Sequence, residues 1–314
     1  MLRRNFLARI AVSATAALRG SYGTPCIASD RALVYPGAAA KRERIAVSTW
    51  SLHKYFRATR RTDSNAPGEM VTLPEFPEII VSRFGVHHLE FCAVHFESAE
   101  PSYVQKIKGA LTRARCAVVN LVLDIKECGA RGTFSDPDPQ KRAVAVSAVK
   151  HWVDVAQELG ARSVRVDPGN PDLPDMTRTA DSYEQVARYA QRRGLGVIVE
   201  NVHEFGTQHP EEIAELIHLV SPVRIGALPD FANFPDQAAR DRGLKMLFPY
   251  AQTVCHAKGQ EFDAHGVEQT FDFPKAMETA RNAGFKGIYS IEFNGSGDPF
   301  AGIQNTVNEL LKYM

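Results

Sequence analysis

From residue 41 onward, short runs of β-branched and aliphatic residues alternate with longer stretches whose apolar positions recur every three or four residues. The short runs read as buried strands and the longer ones as amphipathic helices. Eight strand-like runs are present: Arg44 to Trp50, Val86 to Cys92, Ala117 to Leu123, Ser163 to Asp167, Gly196 to Glu200, Ile225 to Asp230, Thr253 to Ala257 and Gly287 to Phe293. Between them, Lys141 to Leu159 places Val144, Ala148, Trp152, Val155 and Leu159 on one helical stripe, and Pro210 to Val220 does the same with Ile213, Leu216 and Ile217. Gly160, Gly194 and Gly284 each stand just before a strand, where a left-handed helix cap carries no Cβ penalty.

Eight strands interleaved with helices predict an α/β fold of the (β/α)8 TIM barrel type over residues 41–314, close to the usual size of about 250 residues. An open doubly wound sheet is the competing architecture. It calls for a glycine-rich turn after the first strand, and the segment there reads Ser-Leu-His-Lys-Tyr-Phe. A barrel puts its active site at the C-terminal ends of its strands. The polar loop from Arg57 to Val71 follows the first strand and is therefore expected on that face as a lid.

Residues 1–40 have a different texture. Arg3-Arg4-Asn5-Phe6-Leu7 precedes an alanine-rich, weakly apolar run, with small-residue sites at Cys26-Ile27-Ala28 and Ala38-Ala39-Ala40. This resembles a twin-arginine export leader and predicts a periplasmic protein, a basic N-terminal extension on a cytoplasmic protein being the alternative. The formal net charge of the chain is +1. Residues 41–314 alone hold 32 Lys+Arg against 35 Asp+Glu, so the basic excess belongs to the leader.

That balance, without a basic stripe, argues against nucleic acid as a partner. No uninterrupted apolar stretch approaches the roughly 18 residues of a membrane span. The five cysteines form no CxxC pair and are too sparse for a disulfide framework, so buried free thiols are expected.

The last four strand ends carry the candidate chemistry. They read Val-Ile-Val-Glu200, Ala-Leu-Pro-Asp230, Val-Cys-His256 and Ser-Ile-Glu292, spaced 30, 26 and 36 residues apart, about one βα unit each. Four successive strands thus deliver three carboxylates and an imidazole to one point, an oxygen and nitrogen set suited to Mn²⁺, Co²⁺, Mg²⁺ or Zn²⁺. Three carboxylates in one pocket repel one another unless a cation joins them. Strand alternation turns Cys255 away from His256.

These segments, IVEN at Glu200, PDFANF at Asp230, HAKGQEFD from His256 and SIEF at Glu292, resemble the sugar phosphate isomerase/epimerase superfamily with the xylose isomerase-like TIM barrel. The resemblance covers residues 42–313. It implies that Glu200, Asp230, His256 and Glu292 bind the metal and that Glu200 and Glu292 also form an acid/base pair on opposite sides of the substrate. Such an enzyme isomerises or epimerises a sugar or keto-sugar by removing a proton next to the carbonyl, through an enediolate.

Two positions depart from the superfamily pattern: Asn233 stands where the epimerases carry histidine, and Phe262 where they carry arginine. Both lean toward the alternative, a metal-dependent lyase (dehydratase, hydratase or keto-glycoside-cleaving) on a similar keto-sugar or inosose. The extra histidines of the three-metal endonuclease branch are not evident.

Lys258, two residues beyond His256, shares its strand face and is a catalytic candidate, by neutralising an enediolate oxygen or by proton transfer if its pKa is lowered. His203, His53 and Glu90 are candidates to bind substrate. Trp50, Phe231, Phe234 and Phe293 supply either an apolar pocket wall or barrel packing. A sugar-binding protein without catalysis needs no opposed glutamates. Self-association into a homo-oligomer is left open.

Overall fold

The computed structural model describes residues 37–60, 68–128, 133–169, 176–203, 205–220 and 224–314. The expected leader falls outside these residues except at 37–40, and so does 61–67 of the expected lid.

Every strand-like run contains a strand: β1 Ile45–Ser48, β2 His88–Cys92, β3 Ala117–Leu123, β4 Ser163–Val166, β5 Gly196–Glu200, β6 Gly226–Leu228, β7 Val254–Gly259 and β8 Ile288–Phe293. A first helix, α1 (Ala38–Arg42), straddles the expected leader boundary, and the Lys41 ammonium donates to the Leu311 carbonyl at 2.9 Å. One longer helix then follows each strand: α2 Phe76–Phe84, α3 Pro101–Ala114, α4 Pro139–Glu158, α5 Thr177–Gln191, α6 Glu211–Leu219, α7 Gln237–Leu247, α8 Phe273–Asn282 and α9 Pro299–Tyr313.

The sheet order is β6-β5-β4-β3-β2-β1-β8-β7 and the paired strands are parallel. Its two edges meet at a parallel bridge between Asp230 and His256. There the Phe231 amide donates to the His256 carbonyl (3.1 Å) and the His256 amide to the Pro229 carbonyl (3.0 Å). The ring is therefore a (β/α)8 barrel, and it closes at two of the candidate ligands.

Alternation divides each strand between two environments. On β7, Cys255 and Ala257 join the large apolar core beneath the helices. Inside the lumen, Ile198, Leu228 and Val254 form one small apolar cluster and Ala46, Val119 and Ile288 another. Cys92, Cys116, Cys128 and Cys255 are free thiols, and burial pushes Cys128 up to about 12. Gly160 and Gly194 adopt φ of 74° and 75° and end their helices left-handed.

Three details differ from the sequence expectation. The expected stripe of α4 is buried at Val155 and Leu159 and partly buried at Ala148 and Trp152, but Ala145, Val149, Val153 and Ala156 form the more deeply buried face and Val144 is 59% exposed. The first strand stops at Ser48, whose hydroxyl accepts from the Trp50 amide (3.2 Å) and opens a 3-10 helix over Thr49–Tyr55. β7 runs on to Gly259, so His256 lies within its strand, whereas β6 ends two residues before Asp230.

Candidate metal centre

Glu200, Asp230, His256 and Glu292 converge at the C-terminal mouth of the barrel, each offering one ligand atom, all within 4.8 Å of one another. All four side chains are buried. His256 Nδ1 faces the three carboxylates, at 3.0 Å from Glu200 Oε1, 3.5 Å from Asp230 Oδ2 and 3.7 Å from Glu292 Oε2.

Asp230 is aimed by its own turn. Its Oδ1 accepts from the amides of Ala232 (2.7 Å) and Asn233 (2.9 Å), and Asn201 Oδ1 accepts from the Asp230 amide (2.8 Å). Asp230 Oδ2 is thereby left pointing into the cluster, wholly buried and without a hydrogen bond of proper geometry. Three buried carboxylates and an imidazole converging on one point, with no thiolate among them, form a donor set that fits a divalent cation.

Two buried cations flank the centre. Lys258 Nζ lies 3.0 Å from Asp230 Oδ2 and 3.1 Å from Glu292 Oε2, and donates to Asn233 Oδ1 at 3.0 Å. Arg165, on β4, sets Nε 2.8 Å from Glu200 Oε2 and pairs through Nη1 with Asp124, just past β3.

The field at each group follows from these partners. Burial alone raises the Asp230 pKa, but Lys258 and His256 outweigh it and hold the carboxyl at about 2. Burial pushes Glu292 up, with the Glu200 and Asp230 charges adding to it against His256 and Lys258. Burial disfavours the charged form of His256, yet Glu292, Glu90 and Glu200 carry its pKa well above the ordinary range. For Lys258 burial is likewise overcome, by Asp230, Glu292 and Glu200, so its pKa rises. That is the opposite of the lowering that proton transfer by this lysine calls for, and it leaves Lys258 as a fixed positive charge.

The other expected residues take different places. Glu90 is fully buried beneath His256, with Oε2 3.0 Å from Nε2. His53 Nδ1 lies 2.8 Å from the Trp50 carbonyl, and its ring stacks on the Trp50 indole at 5.1 Å. His203 adopts φ of 56° and keeps its side chain 64% exposed, with Nε2 3.9 Å from Asp167 Oδ2. Together with Thr207, Gln208 and Asn233 it lines an open cavity of about 380 Å³.

Asn233 joins that cavity to the centre, since its Nδ2 donates to Glu200 Oε1 (3.3 Å) while its Oδ1 holds Lys258. Phe231, Phe234 and Phe293 are buried packing, and only Trp50 is partly open. Sequence reasoning missed Arg165, Asp124 and Asn120. The available signal was the arginine inside the otherwise apolar run Ser163-Val164-Arg165-Val166, at an alternating position that a strand turns inward.

A family model described as xylose isomerase-like TIM barrel matches residues 80–313. The chain belongs to this family. Among solved structures it is similar to a D-allulose 3-epimerase from Methylomonas sp., at 12% identity and a TM-score of 0.65, over 86% of this chain and 98% of that one. It is also similar to a xylose isomerase-like TIM barrel protein from Mycobacterium smegmatis in complex with magnesium (15% identity, TM-score 0.61, 89% of this chain and 99% of that one). A third similarity is to an AP endonuclease, family 2, from Brucella melitensis (16%, TM-score 0.59, 83% and 96%). At these identities the likeness establishes the fold. No curated protein matches the chain.

Proposed function

We propose that this protein is a divalent-metal-dependent isomerase or epimerase of a sugar or keto-sugar, acting by proton abstraction next to the carbonyl. The observation that carries the reading is the convergence of Glu200, Asp230, His256 and Glu292 on one point, with Asp230 Oδ1 held by backbone amides so that Oδ2 turns into the cluster. Those four residues would hold Mn²⁺, Co²⁺, Mg²⁺ or Zn²⁺. A bound divalent ion supplies Lewis acidity that makes the C–H beside a carbonyl more acidic. Glu200 on β5 and Glu292 on β8 stand three strands apart in the eight-membered ring. One glutamate takes the substrate proton and the other returns a proton to the opposite face, inverting the centre. The Lys258 ammonium, fixed between Asp230 and Glu292, neutralises negative charge developing on the enediolate oxygen. The epimerase named among the similar structures supports this reading.

A second reading is favoured by Asn233 and Phe262. With no arginine at 262 and an asparagine bridging Glu200 and Lys258, the same proton abstraction leads to a lyase when the substrate carries a leaving group on the β carbon. The C–H electron pair then forms the new double bond as that group departs with its own pair. In either case the partner is a small polyhydroxylated molecule rather than nucleic acid. His203, beside Asn233 on the open cavity, contacts the distal part of that molecule, and His53 lies with Trp50 on the strand-one side of the mouth.

The deciding experiment incubates the Mn²⁺-loaded protein in D₂O with a panel of ketoses, keto-glycosides and inososes, with a chelator-treated control. Deuterium gain with otherwise unchanged mass marks the isomerase or epimerase, whereas an absorbing enone marks the lyase. Neither, in a preparation that retains metal, overturns both. The twin-arginine leader is likewise proposed as an export signal. The expected result on fractionation is periplasmic protein that begins at Lys41, or at Ser29 if the earlier small-residue site is used. Among the described residues no helix is long and apolar enough to cross a membrane.

A further inference from the structure

We propose that Glu90 is a positioning residue that makes Nδ1 the metal-facing nitrogen of His256, an inference that rests on the metal-centre reading above. Glu90 is completely buried and is surrounded by donors. Asn120 Nδ2 donates to its Oε1 at 2.6 Å, the Ser290 hydroxyl donates to its Oε2, and His256 Nε2 lies 3.0 Å from Oε2 and 3.2 Å from Oε1.

The orientation of Asn120 is set from behind. Its Oδ1 accepts from the Ser163 hydroxyl (2.8 Å), and the Ser163 oxygen in turn accepts from the Thr253 hydroxyl (3.1 Å). Each donor in this chain points toward Glu90. The carboxylate is therefore acceptor only, and its remaining contact, with His256 Nε2, needs a proton on that nitrogen. The lone pair left for a cation is on Nδ1, the nitrogen that faces Glu200, Asp230 and Glu292.

The hydrogen-bonded chain also returns to the strand beside which it begins. It starts at Thr253, immediately before β7, crosses the lumen to β4, β3 and β2, and returns through Glu90 to His256 on β7. Its register depends on an irregularity: Leu89 pairs with Val118 but Glu90 with Asn120, so one residue of β3 is skipped and Asn120 is brought opposite Glu90. A carboxylate behind a ligating imidazole fixes the ring and raises its basicity, and losing it typically costs 10- to 100-fold in metal affinity.

The test is Glu90→Gln, which keeps the shape but places an amide N–H₂ among the donors. Titration calorimetry of the full chain with Mn²⁺ and with Zn²⁺ is expected to show binding weakened about 10- to 100-fold relative to wild type, with an unchanged circular dichroism spectrum. In parallel, ¹⁵N-histidine NMR of the Zn²⁺-loaded wild type is expected to show Nε2 protonated and Nδ1 coordinated. Equal metal affinity in a folded E90Q protein overturns the positioning role while leaving the metal centre standing. Zinc on Nε2 overturns it even if E90Q does not fold. A wild type that binds neither ion overturns the metal-centre reading itself, and this inference with it.

Discussion

Strands β5, β7 and β8 and the turn just past β6 carry Glu200, His256, Glu292 and Asp230, whereas β2 to β4 contribute Glu90, Asn120, Ser163, Arg165 and, just past β3, Asp124. Both halves are parallel strands with a helix after each, but one presents ligand atoms and the other holds them. Glu200 shows the division: its Oε1 faces His256 on β7, while its Oε2 is paired with Arg165 on β4. A cluster of three buried carboxylates survives in the folded chain because the second half and Lys258 supply the opposite charge and the donors.

Breaking the ligand half has the largest expected effect. Glu292→Gln and Glu200→Gln each remove a carboxylate of the proposed acid/base pair and a candidate metal ligand, so turnover is expected to fall at least about 1,000-fold. Steady-state assays check this alongside circular dichroism, and near-normal turnover in either variant would sink the acid/base assignment.

In the supporting half, Arg165→Met leaves Glu200 Oε2 buried without its cation. An unpaired buried charge costs about 3–5 kcal/mol, and urea denaturation is expected to show a loss of that order, together with weaker metal binding. If stability and metal affinity both match wild type, Arg165 does not support Glu200.

A smaller effect concerns acid. His95 is buried after β2 between the hydroxyls of Thr49 and Thr59, and burial lowers its pKa to about 3. The unfolded chain protonates this histidine below its ordinary value near 6.5 and the folded chain does not. Its contribution to stability is thus intact above pH 6.5 and is lost as pH falls from 6.5 toward 3, by up to about tenfold in the unfolding constant per pH unit. His95→Gln is expected to flatten the fall in stability across that window, and an identical pH profile for the variant counts against it.

The smallest effect is expected at the rim. His203→Ala, at a 64% exposed side chain, should raise KM a few-fold with kcat and melting temperature unchanged. A large loss of kcat instead moves His203 into the centre of the reaction.

The ligand half was legible in the chain because each ligand ends or follows an apolar run in consecutive βα units, and one-dimensional spacing suffices to bring such positions to one mouth. The supporting half was not. Glu90 stands at the same kind of position within Leu89-Glu90-Phe91, and nothing local separates a pocket-lining carboxylate from one buried beneath a histidine 166 residues away. Asn120 and Ser163 look like polar interruptions of apolar strands until the skipped residue in β3 aligns them. The stripe of α4 was legible only in part for a related reason: Val155 and Leu159 are buried as expected, but Ala145, Val149 and Val153 become the deepest part of the face only against the particular strands they cover.

Periodicity and the order of strands along the chain determined the barrel and the convergence of the four candidate ligands, because alternation and unit length are local properties. The tertiary structure decided which nitrogen of His256 faces the carboxylates, what balances their charge and where the barrel closes. Those depend on distances between residues far apart in sequence, set only when eight strands pack around a common lumen.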